Sequence, residues 1–468
     1  MNPLVLSDAD YKTAFERITQ LALEYVASVS ERPTFPKITG SETEALFAKP
    51  LPEQGLGSRA LDDLNEVMAS VRVTGPHFFG YVLGSGEPIG AAADLLVSVL
   101  NQNVTAWRSS PSAVTIERVV VNWLAEAIGC TGFTGSLTGG GSSANLMGLA
   151  MAREARLPAN ECGARPGTIY ASEQIHMSIP KAIALLGIGR ENLRLIPCDD
   201  NFRIRVDLLR ASMERDVRAG LMPIAIVGSA GTVSTGSIDP LVELAEIARE
   251  SGAWFHVDGA YGALAAIAEP AKFAGLDRAD SLSLDPHKWL YQPLDCGCLL
   301  YRDAEAARRA FSHTGDYAKS LVNDPVEGFM FFEESIELSR RFRALKLWLS
   351  LRYHGLANFR EAIRNDLAHA QLLAALIAKQ PELELLAPVP LSAVCFRYRS
   401  RGDVDLSSNA LNQEILQRVV RRGKVFLSNA TIHGRFALRA CIVNHRTTPD
   451  DIEQVVSEVL AVGGECPR

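Results

Sequence analysis

Apolar positions recur at helical spacing from the start of the chain. Phe15, Ile18, Ala22, Tyr25 and Val29 form one stripe, Ser7 stands at a capping position, and Asp8 and Asp10 suit the positive end of a helix. This predicts a helix over residues 7–29. The next stretch carries Pro33, Pro36, Pro50, Pro52, Gly55 and Gly57 and predicts little regular structure. Ser58 then opens a second helix, with Leu61, Leu64, Met68 and Val71 on one side. Two striped helices on a long strap cannot easily bury both stripes by themselves. Residues 1–86 are therefore expected to form a helical arm wrapped on a second subunit.

Beyond the arm the period changes. The stretch PHFFGYVLGSGEPIG (76–90) sets Phe78, Phe79 and Tyr81 among glycines, a combination suited to a substrate-pocket wall. A helix is expected over 111–128, capped by Ser110, started by Pro111 and stopped by Gly129. Strand-like and helical runs then alternate: a strand at 168–171, a helix from beyond Ser178, and PIAIVG at 223–228. A helix opened by Asp239 and Pro240 and ended by Gly252 follows, then a strand at 254–257, and a short alternating apolar run begins the stretch from Ser281. Strand, crossover helix and parallel strand define an α/β class. Residues 87–352 are assigned to this large domain, whose helical pattern resumes at 340–353. The loop 312–334, with Tyr317 near its start, interrupts the alternation and is a candidate lid. Residues 353–468 read as a smaller α+β unit. Helices are expected over 357–379 and 411–422, strands around 392–399, 424–428 and 435–443, and a last helix from Thr448-Pro449.

Composition narrows the function classes. Of 468 residues 22% are charged, the formal net charge is -7, and no long basic run occurs. Nucleic acid and anionic membrane surfaces are therefore not expected partners. No apolar run approaches the roughly 20 residues that cross a bilayer, and the N-terminus lacks a signal-peptide layout. Eight cysteines without a Cys-x-x-Cys pair point away from a disulfide framework or zinc ribbon and toward reduced thiols in the cytoplasm.

The chemistry gathers around SLSLDPHKWLYQ (281–292). Lys288, flanked by His287 and Trp289, follows a buried strand, and an apolar, partly dehydrated setting exposes the nucleophilic form of an amine. Upstream, GSLTGGGSSANL (135–146) describes a phosphate cradle: glycine amides approach an anion unhindered, hydroxyls add donors, and a helix begins. The same glycines satisfy G-x-G-x-x-A, which leaves a nucleotide-dependent oxidoreductase as a distant alternative. No strong strand is expected before them, and no acidic residue ends a strand at the required distance. His176, Thr232, Asp258 and Lys288 all fall at C-terminal strand ends, where open sheets collect ligands. His256 and Asp258 share a strand face, but no third ligand is evident, so no metal is expected and His256 is taken as a packed strand residue. A cradle, an aspartate, a histidine and a reactive lysine match the four handles of pyridoxal phosphate: phosphate, pyridine nitrogen, ring face and aldehyde.

HVDGAYG, DPHKW, TGGGSSANL, SEQIHMSIPKA and RRFRALKLW together resemble the group II pyridoxal-phosphate-dependent decarboxylases, relatives of aromatic-L-amino-acid decarboxylase, over about residues 70 to 445. The resemblance implies a type I aminotransferase-like fold with a seven-stranded, mostly parallel sheet. It also implies an obligate homodimer with active sites at the subunit interface. Residue by residue, it implies Gly140, Gly141 and Ser142 at the phosphate, His176 against the ring face, and Asp258 at the pyridine nitrogen. Thr232 and Ala260 flank the ring, while His287 and Lys288 stand at the aldehyde. Asp285 stands where an asparagine is frequent. Tyr317 falls at a mobile-loop tyrosine that assists protonation after carbon dioxide leaves, and so favours plain decarboxylation over aldehyde release.

The expected substrate is an L-amino acid, with an aromatic one leading because Phe78, Phe79 and Tyr81 can wall an apolar pocket. Asn103 and Thr105 stand in a pocket-lining stretch where aromatic-substrate relatives carry apolar side chains, which keeps a non-aromatic amino acid open. A transaminase, an aldehyde-forming oxidative deaminase or a carbon–carbon lyase on the same fold stays open as well.

Overall fold

The structure, a computed structural model, describes residues 2, 4–313, 324–399 and 405–466. Seven strands make the main sheet: β1 (Thr134–Thr138), β2 (Gly167–Ser172), β3 (Leu193–Ile196), β4 (Met222–Ser229), β5 (Trp254–Asp258), β6 (Ser281–Leu284) and β7 (Gly297–Tyr301). Their order is β1-β7-β6-β5-β4-β2-β3. Only β7 runs antiparallel to its neighbours; the remaining pairings are parallel. The mostly parallel α/β sheet expected from the alternating pattern is present.

Helices cover both faces, so these strands are buried almost throughout. Side chains divide by the strand period of two. Ile169, Ala171, Val227, Trp254, Leu299 and Tyr301 pack with the helices Gly141–Arg156, Ser178–Leu185 and Ala304–Phe311. Tyr170, Ile226, Phe255, Val257, Leu282 and Leu300 pack on the opposite side with Pro111–Ala127 and Leu241–Ser251. Each fully buried aliphatic side chain stabilises by about 1.5–3 kcal/mol relative to exposure.

A second, four-stranded antiparallel sheet has the order β10-β11-β9-β8. Its strands are β8 (Leu383–Leu385), β9 (Ala393–Tyr398), β10 (Ser428–Ile432) and β11 (Arg435–Cys441). The helices Asp405–Arg422 and Pro449–Glu465 pack on it, and Thr448 closes a capping box with Asp451. The helices expected at 340–353 and 357–379 are one run, Ala344–Ala378, bent at Gly355 (φ 75°). The boundary expected between 352 and 353 falls inside this run, near the bend.

Three expectations need correction. A strand does precede the glycines: β1 is rich in Thr, Ser and Gly, and so hides from a hydrophobic pattern. It forms because its backbone pairs with β7 and because the buried Glu117 carboxylate accepts the Leu137 N–H at 2.9 Å. The strap also contains the helix Gly40–Phe47, whose start is a capping box of Thr39 and Glu42. The helix predicted from Ser58 is split into a 3-10 turn, Gly57–Leu61, and the helix Leu64–Ser70. The first helix, Asp8–Ser28, is capped by Ser7 as expected. Leu21 and Val29 at its end are buried, whereas Ile18, Leu23 and Val26 are exposed. Among the described residues no helix is long and apolar enough to cross a membrane.

Candidate active site

The chain leaves β6 at Leu284 and makes a single helical turn, Pro286–Trp289. That turn brings residues three apart onto one side, so Lys288 Nζ reaches Asp285 Oδ2 at 2.8 Å. Asp285 is buried, and its other oxygen, Oδ1, has no hydrogen-bond partner among the described residues. The aromatic flanks expected around Lys288 lie elsewhere, because consecutive helical residues diverge. Trp289 is fully buried in the main core, edge-on to Tyr261 at 5.5 Å. His287 Nδ1 lies 2.7 Å from the Cys296 carbonyl, and burial holds the His287 ring below the usual histidine pKa.

The glycines between β1 and the helix Gly141–Arg156 form a cradle across from this turn. Gly140 has φ 143°, a backbone that side chains resist. A Cβ on Gly141 would sit 2.6 Å from the Ala260 Cβ and 3.0 Å from Asp285 Oδ2. The bare backbone is thus what leaves room there.

Asp258 ends β5, and its Oδ1 accepts from Ala260 N at 3.3 Å and from Ser283 Oγ at 3.2 Å. Thr232, in the loop after β4, accepts the Ser237 N–H at 3.1 Å and pairs with Thr235 Oγ1 at 3.0 Å. His176 follows β2, and burial lowers its pKa below the ordinary histidine value, which favours the neutral ring. Gly140, Gly141, Ser142, His176, Thr232, Asp258, Ala260, Asp285, His287 and Lys288 all line one cavity of about 290 Å³.

The expected aromatic wall is not in that lining. Phe79 is fully buried in the core of the smaller sheet, and Phe78 stacks on Phe426 with centroids 4.9 Å apart. Both are consumed by packing because an alternating aromatic stretch is also a good core plug. Tyr81 is half exposed and tilts toward Phe426, outside the cavity. Asn103 accepts the Arg340 N–H at 2.9 Å, and the Thr105 carbonyl accepts the Phe331 N–H at 2.8 Å; neither lines the cavity of its own chain. Tyr317 lies outside the described residues. Gly139, Ser143 and Asn145 of the cradle stretch also line it, and residues that pattern did not single out complete the lining: Val82, Ser229, Gly231, Val233, Tyr261 and Leu294. Ser229 ends β4 and was findable by the strand-end rule, while Val82 and Leu294 carry no sequence signal of their own.

The lining fits pyridoxal phosphate. The glycine cradle admits a phosphate, Asp258 and Lys288 offer a carboxylate and an amine in the same space, and the orphaned Asp285 Oδ1 calls for a donor. A dinucleotide fits poorly. Its fingerprint needs the strands on either side of the glycine-rich turn and helix to be near neighbours, and here β1 is at one edge of the sheet while β2 stands near the other.

Comparison with known proteins agrees. Residues 44–399 match the family described as "Pyridoxal-dependent decarboxylase conserved domain". An aromatic-L-amino-acid decarboxylase of Bacillus atrophaeus is 33% identical, covering 99% of this chain and 97% of that protein. A phenylacetaldehyde synthase of Petunia hybrida is 33% identical over 78% of this chain and 76% of its own length. The crystal structure of Oryza sativa TDC with PLP and tryptamine superposes with a TM-score of 0.92 at 27% identity, covering 99% of both chains. The chain belongs to the pyridoxal-dependent decarboxylases and is a pyridoxal-phosphate-dependent amino-acid carboxy-lyase.

Proposed function

We propose that this chain removes the carboxyl group of an aromatic L-amino acid, giving the amine and carbon dioxide, with the cofactor bound at Lys288. The carrying observation is the convergence of Lys288, Asp258, His176 and the glycine cradle on one cavity at the strand ends. The aromatic class is supported by the likeness to the Bacillus atrophaeus enzyme over nearly the whole chain. Pyridoxal phosphate, when bound, supplies an aldehyde and an electron-withdrawing ring that takes up the electrons left by departing carbon dioxide.

The chain's own groups do the rest. Lys288 offers the amine, held by Asp285 at 2.8 Å. Gly140, Gly141 and Ser142 offer donors to the phosphate. Asp258, fixed through Oδ1, keeps a negative charge ready for the protonated pyridine nitrogen, a preorganised charge that needs no rearrangement during reaction. The His176 ring would lie against the bound cofactor, Thr232 and Ala260 would flank it, and His287, bonded to the Cys296 carbonyl, steadies the turn that carries Lys288. Tyr317 returns a proton to the substrate carbon.

The active form is a homodimer in the cytoplasm. Supporting this, Ile18, Leu23 and Val26 on the arm and Leu95, Leu96, Val99 and Leu100 on the helix Pro88–Leu100 leave apolar area uncovered. All eight cysteines are free. In the dimer, Tyr81, Asn103 and Thr105 lie at the subunit contact and complete the pocket from that side.

The test is a screen of L-amino acids for carbon dioxide release with product identification. Tryptophan, tyrosine or phenylalanine should give the amine. Turnover of a charged amino acid with none on these three would overturn the aromatic assignment. Tyr317→Phe should shift product toward the aldehyde, and an unchanged amine yield would remove Tyr317 from the proton return.

A further inference from the structure

His256 lies on β5 two residues before Asp258, is fully buried, and does not line the cavity. It is nonetheless wired to a residue that does. Its Nδ1 is 2.8 Å from Ser281 Oγ and its Nε2 is 2.9 Å from Asn145 Oδ1. Behind Ser281, Trp254 Nε1 donates to the same hydroxyl oxygen at 2.8 Å. Ahead of Asn145, its Nδ2 donates to Ser178 Oγ at 2.9 Å. Ser178 then meets His176 Nδ1 twice: through Oγ at 2.9 Å and through its backbone N–H, which donates at 3.2 Å.

The direction of the links follows from the His176 end, where an acceptor is fixed, and from the amide oxygen of Asn145, which can only accept. At the other end the Ser281 oxygen accepts from the Trp254 indole N–H and has its own proton available for His256 Nδ1. His256 then carries its proton on Nε2, which donates to Asn145 Oδ1. The Asn145 amide nitrogen is thereby turned to Ser178, whose proton goes on to His176 Nδ1. At the far end, a backbone N–H also can only donate, so His176 Nδ1 is independently required to accept. The His176 end demands this pattern and the Trp254 end is compatible with it. Burial supports it by keeping the rings neutral, with His256 pushed down to about 4 and His176 below its ordinary value. Contact supports it as well. A Cβ on Gly148 would come within 2.5 Å of His256 Cε1, so the helix carrying Asn145 meets this ring only because residue 148 has no side chain.

We propose that His256 is a positioning residue that, through Asn145 and Ser178, fixes His176 in the tautomer protonated on Nε2 and holds its ring at one angle. The inference rests on the reading that His176 covers the cofactor. It adds a consequence: His176 has no free acceptor nitrogen, so it gives a hydrogen bond in the cavity and does not act as a base.

The test is ring-nitrogen NMR of the histidine-labelled holoenzyme, with the His176 signals assigned by their loss in His176→Ala. The parent should show a protonated Nε2 and an unprotonated, hydrogen-bonded Nδ1 at His176. Asn145→Asp can accept from both neighbours and donate to neither, so the Ser178 hydroxyl turns away from His176. His256→Phe fills the ring's place without bonds. In both, His176 Nδ1 keeps only the 3.2 Å bond from the Ser178 backbone N–H, so its signal should move away from the doubly hydrogen-bonded position and a second tautomer should appear beside the first, and kcat should fall roughly 10- to 100-fold, the range for partners that orient metal-bound histidines, with little change in KM. His256→Gln, which keeps a donor toward Asn145, should recover most of the kcat lost in His256→Phe. Unchanged His176 signals in both Asn145→Asp and His256→Phe, or unchanged kcat in them, would overturn the proposal. Full turnover in His176→Ala would instead overturn the cofactor-facing role of His176 while leaving the tautomer result standing.

Discussion

Lys288 Nζ sits 2.8 Å from the buried Asp285 carboxylate, whose other oxygen has no hydrogen-bond partner among the described residues. That contact was half visible in the sequence. Asp285 stands out as a departure from the family's usual residue, but the helical turn that aims it at Lys288 depends on where β6 ends. The strand-end positions of Asp258, His176 and Lys288 were legible in the sequence, and the fold brings all three to one cavity. Phe78 and Phe79 were misread because a ring that can wall a pocket can equally fill a core, and only tertiary contacts decide which. Asp258→Asn tests the residue scale. The amide oxygen can still accept from Ala260 N and Ser283 Oγ, so fold and cofactor should be retained. The negative charge is lost, and the decarboxylation rate should fall by roughly 10²–10³-fold, the loss typical of a preorganised stabilising group. Bound cofactor measured by absorbance, alongside carbon dioxide release, checks this; a near-parental rate would contradict it.

At the scale of elements, the cradle is held in place by a charge pair far from the cofactor in sequence. Arg340 donates to Glu117, to the Leu137 carbonyl at 2.9 Å and to the Val104 carbonyl at 3.0 Å, and both charged side chains are almost fully buried. One arginine thus ties together β1, the helix Pro111–Ala127 and the segment that follows the helix Pro88–Leu100. Arg340→Met would leave Glu117 buried and unpaired, a loss of about 3–5 kcal/mol. Denaturant titration should show the midpoint drop, with cofactor affinity falling in step as β1 loosens; an unchanged midpoint would contradict the assignment. Nothing in a hydrophobic pattern announces this pair. It also explains why β1 went unseen, since its pairing is secured by side chains remote in sequence. The helix Gly40–Phe47 was legible in principle through its capping box, and was hidden by the prolines around it.

At the scale of the whole molecule, Tyr291 and Asp366 join the cofactor turn to the smaller sheet. The Tyr291 hydroxyl donates to Asp366 at 2.8 Å, and Asn444, just beyond β11, donates its N–H to the same carboxyl group at 3.4 Å. Burial raises the Asp366 pKa from 3.8 to about 8. The folded chain therefore keeps a proton that the unfolded chain releases. The stability this group contributes is full below pH 3.8 and is lost as pH rises toward about 8. Asp366→Asn should remove that decline, so the difference in Tm between parent and variant should shrink or reverse from acid to neutral pH. A pH-independent difference would contradict it. The layered α/β architecture was legible from periodicity because parallel strands buried on both faces read as short apolar runs between helices. The way the two sheets are joined was not, since it rests on a buried acid and a tyrosine whose partners are set only by the finished fold.

The proposed chemistry depends on Lys288 as the amine that would carry the cofactor. Borohydride treatment of the holoenzyme, followed by proteolysis and mass spectrometry, should place the reduced pyridoxyl adduct on the peptide containing Lys288, and Lys288→Ala should show none. An adduct on another lysine, or a parent enzyme that turns over substrate with no adduct at all, would contradict it.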